Sequence, residues 1–242
     1  MSQTAESIIS NHLLRSLPPE DLERMSAFLD HIDLPHGMII NEAEEPITDV
    51  IFPNSAVVSV VSSTEAGQSA EAGLIGFEGM TGVEAMLNGP IAINRQIVQL
   101  PGEGLRGDIA DVKAEFKRGG TFQASALVFT RAMLAQTSQT ALCNRLHVAD
   151  QRLAKWLLMC HDRTTGDTMN ITQEFAALML GTNRVTLTQA AGQLQDDGFI
   201  EYRRGVVTIT DRKGLEAYSC ECYSRIRDEY ARYAERTSRP SL

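Results

Sequence analysis

The thirty-residue stretch from Ile171 to Ile200 constrains the fold more than any other part of the sequence. It contains the signals for the start and end of one helix and the start of a second, at mutually consistent positions. Thr172 can cap a helix, and an apolar segment follows it. Gly181 fits the left-handed position at which helices often end. Asn183 can cap a second helix only two residues later. Two helices joined by so tight a turn predict a helix-turn-helix.

The second helix of this motif has two different faces on a helical wheel. The apolar face is expected to be buried and consists of Leu187, Ala190, Ala191 and Leu194. The opposite face is expected to enter the major groove of DNA, where its candidates for base contacts are Arg184, Val185, Thr188 and Gln189. Arginine can bind guanine, and glutamine adenine, through paired hydrogen bonds worth about 1–3 kcal/mol of discrimination each.

The segment FIEYRRGVVTIT that follows predicts a hairpin with two arginines beside Gly205. Helix, turn, helix and basic hairpin together predict a winged helix. A single arginine on a helix is usually only solvated, so this interpretation depends on all the signals occurring together. Polar side chains around the motif are candidates for phosphate contacts, which position a protein on DNA without reading sequence. They are Thr172, Gln173, Asn183, Thr186, Arg203 and Arg204.

The distribution of charge matters more than the net charge of −9. Residues 1–144 contain 8 Lys and Arg against 18 Asp and Glu, whereas residues 145–242 contain 14 against 13. The acidic first part should repel nucleic acid, but the second part allows a local anion-binding face. The sequence shows neither a signal peptide nor an apolar run long enough for a membrane span. We therefore expect a cytoplasmic protein without a membrane partner.

The remaining sequence predicts an α+β protein. Residues 16–32 indicate a helix, and residues 33–108 consist of short apolar segments separated by turn residues, which is typical of an antiparallel, jelly-roll-like β-roll. A long helix is expected from about 110 to 147, with an interruption near Gly119 and Gly120. The predicted domains are a sensor-like β-roll with N-terminal helices (1–109), a dimerisation helix with a hinge (110–149), and a winged helix-turn-helix with a C-terminal helix (150–242).

One stripe of the long helix has a three-four spacing that suits the pairing of two identical helices. We interpret it as a dimer interface, and packing on the chain's own β-roll is the alternative. Its residues are Phe122, Ala126, Phe129, Met133, Gln136, Thr140 and Cys143.

The stretch ITQEFAALMLGTNRVTLTQAAGQLQDDGFI resembles the DNA-binding motif of the Crp/Fnr family of bacterial transcription regulators in its length, central glycine, post-turn arginine and final GFI. LLRSLPPEDLERM resembles the common opening of the family, and LIGFEGMTGV resembles a sensor segment of a subgroup without a defined small ligand. The resemblance covers nearly the whole chain. It implies a homodimer that binds an inverted-repeat operator in double-stranded DNA and acts on RNA polymerase.

By this resemblance Arg184 takes the position of the guanine-reading arginine. Val185 and Gln189 stand where many members carry a glutamate and a second arginine, so we expect a different operator. Members that bind cyclic nucleotides have a Gly-Glu helix start and, further on, arginine followed by a small hydroxyl residue. In GVEAM and NRQIV this pattern is broken, and we expect no control by cyclic nucleotide. The alternatives are a degenerate effector site with Gly82, Glu84 and Arg95, or a structural ion pair between Glu84 and Arg95.

No cofactor or metal is expected. An iron–sulfur centre needs a set of thiolates, and residues 1–142 contain no cysteine. Cys220 and Cys222 should diverge on a helix. Cys143 and Cys160 are interpreted as core residues, with a redox switch as the alternative. The C-terminal helix is expected to pack on the winged helix, and contact with a partner protein is the alternative. Its apolar stripe comprises Tyr223, Ile226, Tyr230 and Tyr233.

Two further functions compete with DNA binding. A cupin-type enzyme on the β-roll would need two histidines two residues apart, a carboxylate and another histidine to hold a metal. His31 and His36 have the wrong spacing for this set. The other possibility is a ligand-binding module without DNA contact. The sequence favours a regulator and not an enzyme.

Overall fold

The computed structural model describes residues 10–237, and two short helices precede its first strand. They are α1 (His12–Arg15) and α2 (Pro19–Ser26). Helix α2 begins with proline and has two acids in its first turn, both of which favour a helix start. It is shorter than predicted, because Leu29 pairs with Gly107 and begins a strand.

Two antiparallel sheets form the β-roll, with strand orders β1-β7-β3 and β2-β6-β4-β5. Their strands are β1 (Leu29–Leu34), β2 (Ile39–Asn41), β3 (Asp49–Pro53), β4 (Val57–Ser63), β5 (Ser69–Ile75), β6 (Arg95–Leu100) and β7 (Gly102–Asp108). A short helix, α3 (Val83–Met86), lies between β5 and β6. Apolar residues such as Phe52 and Leu105 form the core with the N-terminal helices. The predicted β-roll is confirmed.

The two helices that follow the roll are α4 (Ile109–Lys117) and α5 (Gly120–Leu146). Gly119 and Gly120 separate them and have φ angles of +83° and +77°, in the left-handed region that glycine adopts without strain. The predicted interruption is confirmed.

A winged helix and two further helices complete the described chain. Their elements are α6 (Ala149–His161), β8 (Thr168–Asn170), α7 (Gln173–Met179), α8 (Arg184–Asp196), β9 (Ile200–Arg203), β10 (Val206–Ile209), α9 (Arg212–Tyr218) and α10 (Cys222–Thr237). The three strands form one antiparallel sheet in the order β8-β10-β9. The α+β class and the order of β-roll, long helix and winged helix agree with the prediction.

The stripe of α5 that was interpreted as a dimer interface faces the chain's own interior. Phe129 is fully buried and packs so closely on Gly79 that a Cβ atom there would lie 2.0 Å from its ring. Gln136 is also fully buried, and its Nε2 donates a hydrogen bond to the carbonyl oxygen of Leu74 at 3.1 Å. Of the seven residues, six are buried and Met133 is half-buried: Phe122, Ala126, Phe129, Gln136, Thr140 and Cys143 are the buried ones. The stripe is therefore buried within the chain itself and is not a free dimer surface. The alternative of packing on the β-roll holds for Phe122, Phe129 and Gln136, whereas Cys143 packs on Cys220 and Cys222.

A different face of α5 is apolar and exposed. Leu134 is 65% exposed, and Leu127 and Leu142 are also exposed. Ala141 continues the seven-residue interval from Leu127 and Leu134 and is exposed as well. We call these four residues the leucine face.

Helix α10 packs on the winged helix at its start, through Tyr223 and Ile226, and along α5 and the roll further on. Tyr233 is buried, lies 5.9 Å from Phe129 between ring centroids, and donates a hydrogen bond to the carbonyl oxygen of Glu78 at 2.8 Å. Arg131 of α5 forms an ion pair with Glu229 of α10 at 3.0 Å. The predicted packing on the winged helix is confirmed for Tyr223 and Ile226, which belong to the core of that domain, and is wrong for Tyr233, which lies beside α5 and the roll. Among the helices of residues 10–237, none combines the length and apolar character that crossing a bilayer requires.

Candidate nucleic-acid interface

Both helices of the helix-turn-helix begin at a side-chain cap. Thr172 Oγ1 accepts a hydrogen bond from the backbone N–H of Phe175 at 3.1 Å, and Asn183 Oδ1 accepts one from Thr186 at 2.8 Å. Gly181, between the two helices, has φ +58°, which a side chain would adopt only with strain. The predicted caps and turn are confirmed, and they set the start of α8 at Arg184.

Helix α8 buries one face and exposes the other, as its wheel predicts. Leu187, Ala190, Ala191 and Leu194 are buried against the rest of the domain. The four candidates for base contacts, Arg184, Val185, Thr188 and Gln189, are all exposed. Val185 is 67% exposed, so its apolar side chain is accessible to a ligand. Arg184 forms no ion pair within residues 10–237, so its guanidinium is available to a ligand.

Thr188 links the two helices of the motif. Its hydroxyl lies 3.0 Å from Gln173 Oε1 and 2.9 Å from the carbonyl oxygen of Arg184, and it can donate to either acceptor. Gln173 uses only its amide oxygen in this contact, so its Nε2 remains a donor. The predicted base contact of Thr188 and phosphate contact of Gln173 therefore involve side chains that touch each other in the free protein.

The predicted hairpin is formed by β9 and β10, and its turn consists of Arg204 and Gly205. Their φ angles of +50° and +78° are the left-handed conformation of both central residues that a type I′ turn requires. This conformation is uncommon for a residue other than glycine and costs free energy at Arg204. Arg203 precedes the turn, is highly exposed, and pairs with Glu201 at 2.9 Å. Such an exposed pair is weak, about 0–1 kcal/mol, and a phosphate can displace it.

The remaining candidates for phosphate contacts surround the start of the motif. Thr172 and Asn183 use an oxygen atom to cap their helices, which leaves the hydroxyl hydrogen of one and the amide hydrogens of the other as donors. Thr186 is half-buried in the first turn of α8. All three lie at helix N-termini, where exposed N–H groups and the helix dipole favour anions.

Comparison with known families identifies this part of the chain. Residues 151–218 match the model of the Crp-like helix-turn-helix domain. These residues form a Crp-like helix-turn-helix domain. The match includes both helices of the motif and both strands of the hairpin. No curated protein sequence matches the chain.

Solved structures with a similar fold include transcriptional regulators of the Crp/Fnr family. A Crp/Fnr regulator from Eubacterium rectale is 18% identical, with a TM-score of 0.66 over 85% of this chain and 96% of that one. FixK2 from Bradyrhizobium japonicum is 15% identical, with a TM-score of 0.68 over 79% and 98%. The c-di-GMP-responsive regulator CLP from Xanthomonas campestris is 15% identical, with a TM-score of 0.61 over 79% and 99%. The predicted resemblance to Crp/Fnr regulators is confirmed, and at these identities the similarity extends to the fold.

The Crp-like domain is docked on the β-roll through buried polar contacts of α6 and of the residues that follow it. Trp156 Nε1 donates a hydrogen bond to Glu71 Oε1 at 3.0 Å, and Arg163 Nε donates one to Glu78 Oε1 at 2.8 Å. All four residues are buried. The docking leaves the outward face of α8 exposed, so the roll can influence the domain without covering its candidate base-reading residues.

Burial raises the pKa of Glu71 to about 7. The hydroxyl of Ser59 lies 2.8 Å from Glu71 Oε2 and 2.6 Å from Gln99 Oε1, but its one hydrogen can serve only one of these oxygens. A protonated Glu71 supplies the second hydrogen, so the raised pKa is consistent with the hydrogen-bond geometry. The neutral form of Glu71 can therefore also take part in the contact between the β-roll and the Crp-like domain.

The three candidates for a degenerate effector site do not form an ion pair with one another. Arg95 Nε donates a hydrogen bond to Glu42 Oε1 at 2.8 Å, and this bond lowers the pKa of Glu42. The hypothesis of a structural ion pair between Glu84 and Arg95 is therefore wrong. Gly82 has φ +66° and precedes α3, where Glu84 lies in the first turn.

Three cysteines and one histidine form a cluster that the sequence interpretation missed. The cluster consists of Cys143, His147, Cys220 and Cys222. Within the described residues, it is the one group of three or more potential metal ligands that the fold brings together. Cys220 and Cys222 do not diverge, because Cys220 precedes α10 and only Cys222 is helical. The i, i+4 spacing of Cys143 and His147 and the CEC motif were the available signals.

The histidines that a cupin-type enzyme would need are engaged elsewhere. His31 Nε2 contacts Glu103 Oε2 at 2.7 Å on the surface, and His36 Nδ1 lies 2.8 Å from the carbonyl oxygen of Gln99. Neither belongs to the cysteine cluster. The structure therefore offers no support for the ligand set of that rival.

Proposed function

We propose that the protein is a homodimeric, sequence-specific DNA-binding regulator of transcription that recognises an inverted repeat through the major groove. The observation that carries this proposal is the exposed face of α8, where four candidates for base contacts lie outside the apolar core of a Crp-like domain. A DNA-binding role in a bacterium implies action in the cytoplasm, where the chromosome lies.

Each base-contacting side chain has a distinct chemical role in this proposal. Arg184 donates two hydrogen bonds to O6 and N7 of guanine, and Gln189 pairs with N6 and N7 of adenine. Val185 and the methyl group of Thr188 contact the methyl group of thymine. A glutamine and a valine in these positions select bases different from those selected by the arginine and glutamate of many Crp/Fnr regulators.

The phosphate contacts fix the helix in the groove. Thr172, Gln173, Asn183 and Thr186 offer neutral donors at the two helix starts, and Arg203 and Arg204 add positive charge at the hairpin. The arginines neutralise phosphates and release counterions, which makes affinity depend on salt.

The leucine face of α5 is our proposed dimer interface in place of the buried stripe. The seven-residue interval of Leu127, Leu134 and Ala141 suits pairing with the same helix of a second chain. A two-fold axis along this pair would present two α8 helices to successive major grooves, about 34 Å apart.

Regulation is proposed to pass from residues 1–109 through residues 110–149 to residues 150–242, which contain the Crp-like domain. A signal in the roll would shift the domain through the buried contacts of Trp156 and Arg163. We propose that this signal is not a cyclic nucleotide, because Arg95 is paired with Glu42 and Gln96 follows it. As in Crp/Fnr regulators, the proposed partner at the promoter is RNA polymerase.

Selection of bound fragments from a random pool of double-stranded DNA tests the proposal. We expect an enriched inverted repeat whose half-sites are one helical turn apart, about 10–10.5 base pairs from centre to centre. The same selection with Arg184→Ala should lose preference at one base pair in each half-site. A pool without any enriched repeat would refute sequence-specific binding by a dimer.

A further inference from the structure

The cysteine cluster lies where the long helix meets the base of the Crp-like domain. Cys143 and His147 are four residues apart at the end of α5, so both side chains project from the same side of its last turn. Cys220 and Cys222 lie at the junction of α9 and α10, after the domain. The ligand atoms of all four residues are within 4.8 Å of one another.

Two distances within the cluster are close to those of a tetrahedral metal site. Zinc bonds of about 2.3 Å to sulfur and 2.0–2.1 Å to nitrogen imply edges of about 3.8 Å between sulfurs and 3.6 Å between sulfur and nitrogen. Cys143 Sγ is 3.6 Å from Cys220 Sγ, and Cys222 Sγ is 3.5 Å from His147 Nδ1. Two of the edges are therefore already close to the required length.

Groups around the cluster support the ligands as they do in metal sites. A ligating histidine usually uses its second ring nitrogen to contact a carboxylate, which fixes the ring. Here His147 Nε2 lies 3.3 Å from Glu221 Oε2, while Nδ1 lies 3.5 Å from Cys222 Sγ. Gln139 Nε2 donates a hydrogen bond to Cys222 Sγ at 3.1 Å, as an amide does to a thiolate.

The surroundings also suit the charge of such a site. Cys143 and Cys222 are fully buried and Cys220 is 4% exposed. Three thiolates and one divalent cation would leave a single net negative charge. Lys155 interacts electrostatically with Cys143, and Arg152 with both Cys143 and Cys220, so positive charge faces the cluster from α6.

We propose that Cys143, His147, Cys220 and Cys222 bind one zinc ion. Thiolate and imidazole ligands in a tetrahedral arrangement favour this metal, and four protein ligands leave no open position for catalysis. Binding releases the three thiol protons to solvent. The two ligand pairs bracket the Crp-like domain, so the ion ties the end of that domain and the start of α10 to the end of α5.

The competing chemistry for the same atoms is a disulfide between Cys143 and Cys220. Their sulfurs are 3.6 Å apart, whereas a disulfide bond is about 2.05 Å long. A disulfide would also leave unexplained why His147, Cys222 and Glu221 converge on the same point. In a zinc site, His147 and Cys222 are ligands of the ion, and Glu221 orients His147.

The test measures metal in the full-length protein purified under reducing conditions. We expect about one zinc per chain in the unaltered protein. Cys222→Ser and His147→Ala should each reduce it severely. Cys160→Ala is the matched control: this cysteine is equally buried but outside the cluster, and its removal should leave the zinc content unchanged.

Two further measurements apply if a cluster variant fails to fold. Glu221→Gln keeps every ligand and should weaken zinc binding about 10- to 100-fold in competition with a chelator. Cobalt substituted into the unaltered protein should give the visible absorption of a tetrahedral site with thiolate ligands. Protein free of zinc that also fails to bind added zinc, a Cys143–Cys220 disulfide in reduced preparations, or iron with labile sulfide would each overturn the proposal.

Discussion

Helices α8 and α5 both carry apolar residues at three-four spacing, yet the sequence indicates the orientation of only one of them. Helix α8 has a single apolar face, and Arg184 and Gln189 lie opposite to it. Helix α5 has two apolar faces, the buried stripe that includes Phe129 and the leucine face that includes Leu134. One face of α5 must contact the roll, and the spacing alone does not say which.

Comparing α8 with α5 shows that, when a helix has two apolar faces, close packing decides which face is buried, and apolar character alone does not. Gly73 and Gly79 of the roll lack the Cβ atoms that would clash with Gln136 and Phe129. Aliphatic leucines would leave such a surface poorly filled, whereas an aromatic ring and an amide fit it. The leucine face then remains exposed, and we propose that it binds a second chain.

The largest effect is expected from Leu134→Glu on the leucine face. An unpaired carboxylate buried between two chains costs about 3–5 kcal/mol, so the dimer dissociation constant should rise roughly 100-fold or more. Light scattering after gel filtration measures the mass, and a DNA titration should show a parallel loss of affinity for the two-half-site operator. Ile93→Glu introduces the same charge at an exposed apolar position of the roll and serves as the control.

If the Leu134→Glu protein remained a dimer, the dimer interface would have to lie on another surface of the chain. The leucine face would then have no assigned function, whereas the packing of the buried stripe on the roll would be unaffected.

The next effect is on stability and comes from Phe129→Ala. Truncating a buried phenylalanine costs about 3–5 kcal/mol, because the space above Gly79 and beside Tyr233 is left unfilled. Urea unfolding measures the loss. Leu127→Ala, at an exposed position on the same helix, should cost much less in the unfolding of the monomer. Equal losses for the two variants would contradict the assignment of the buried face.

The same contrast explains how much of the molecule the sequence could predict. The caps at Thr172 and Asn183, the glycine turn and the one-sided α8 depend on residues close in the chain, and all were predicted. The contact of Cys143 with Cys220 joins positions 77 residues apart, which no local pattern encodes. The position of α10 on α5 is likewise a tertiary choice, because a stripe of tyrosines suits either surface.

A moderate effect is expected from Arg184→Ala on the exposed face of α8. Loss of a bidentate guanine contact costs about 1–3 kcal/mol per half-site, so operator affinity should fall while binding to unrelated DNA changes little. Arg184→Lys keeps the charge but not the planar fork, and should therefore lose discrimination at the same base pair. Binding titrations against operators with each base changed in turn measure both. An Arg184→Ala protein with unaltered base preference would remove Arg184 from the proposed reading face.

The smallest effect is expected from Arg203→Ala at the hairpin. Because Arg203 is proposed to contact a phosphate, its loss should weaken binding to specific and unrelated DNA alike. The slope of log affinity against log salt should fall by about 0.9 per half-site, or about 1.8 for the dimer. Glu201 competes with DNA for this arginine at 2.9 Å, so Glu201→Gln should strengthen both kinds of binding slightly without changing base preference. If Arg203→Ala changed the preferred bases but not the salt slope, Arg203 would contact bases and not phosphates. The proposed roles of α8 in base contact and of the hairpin in phosphate contact would then be wrong.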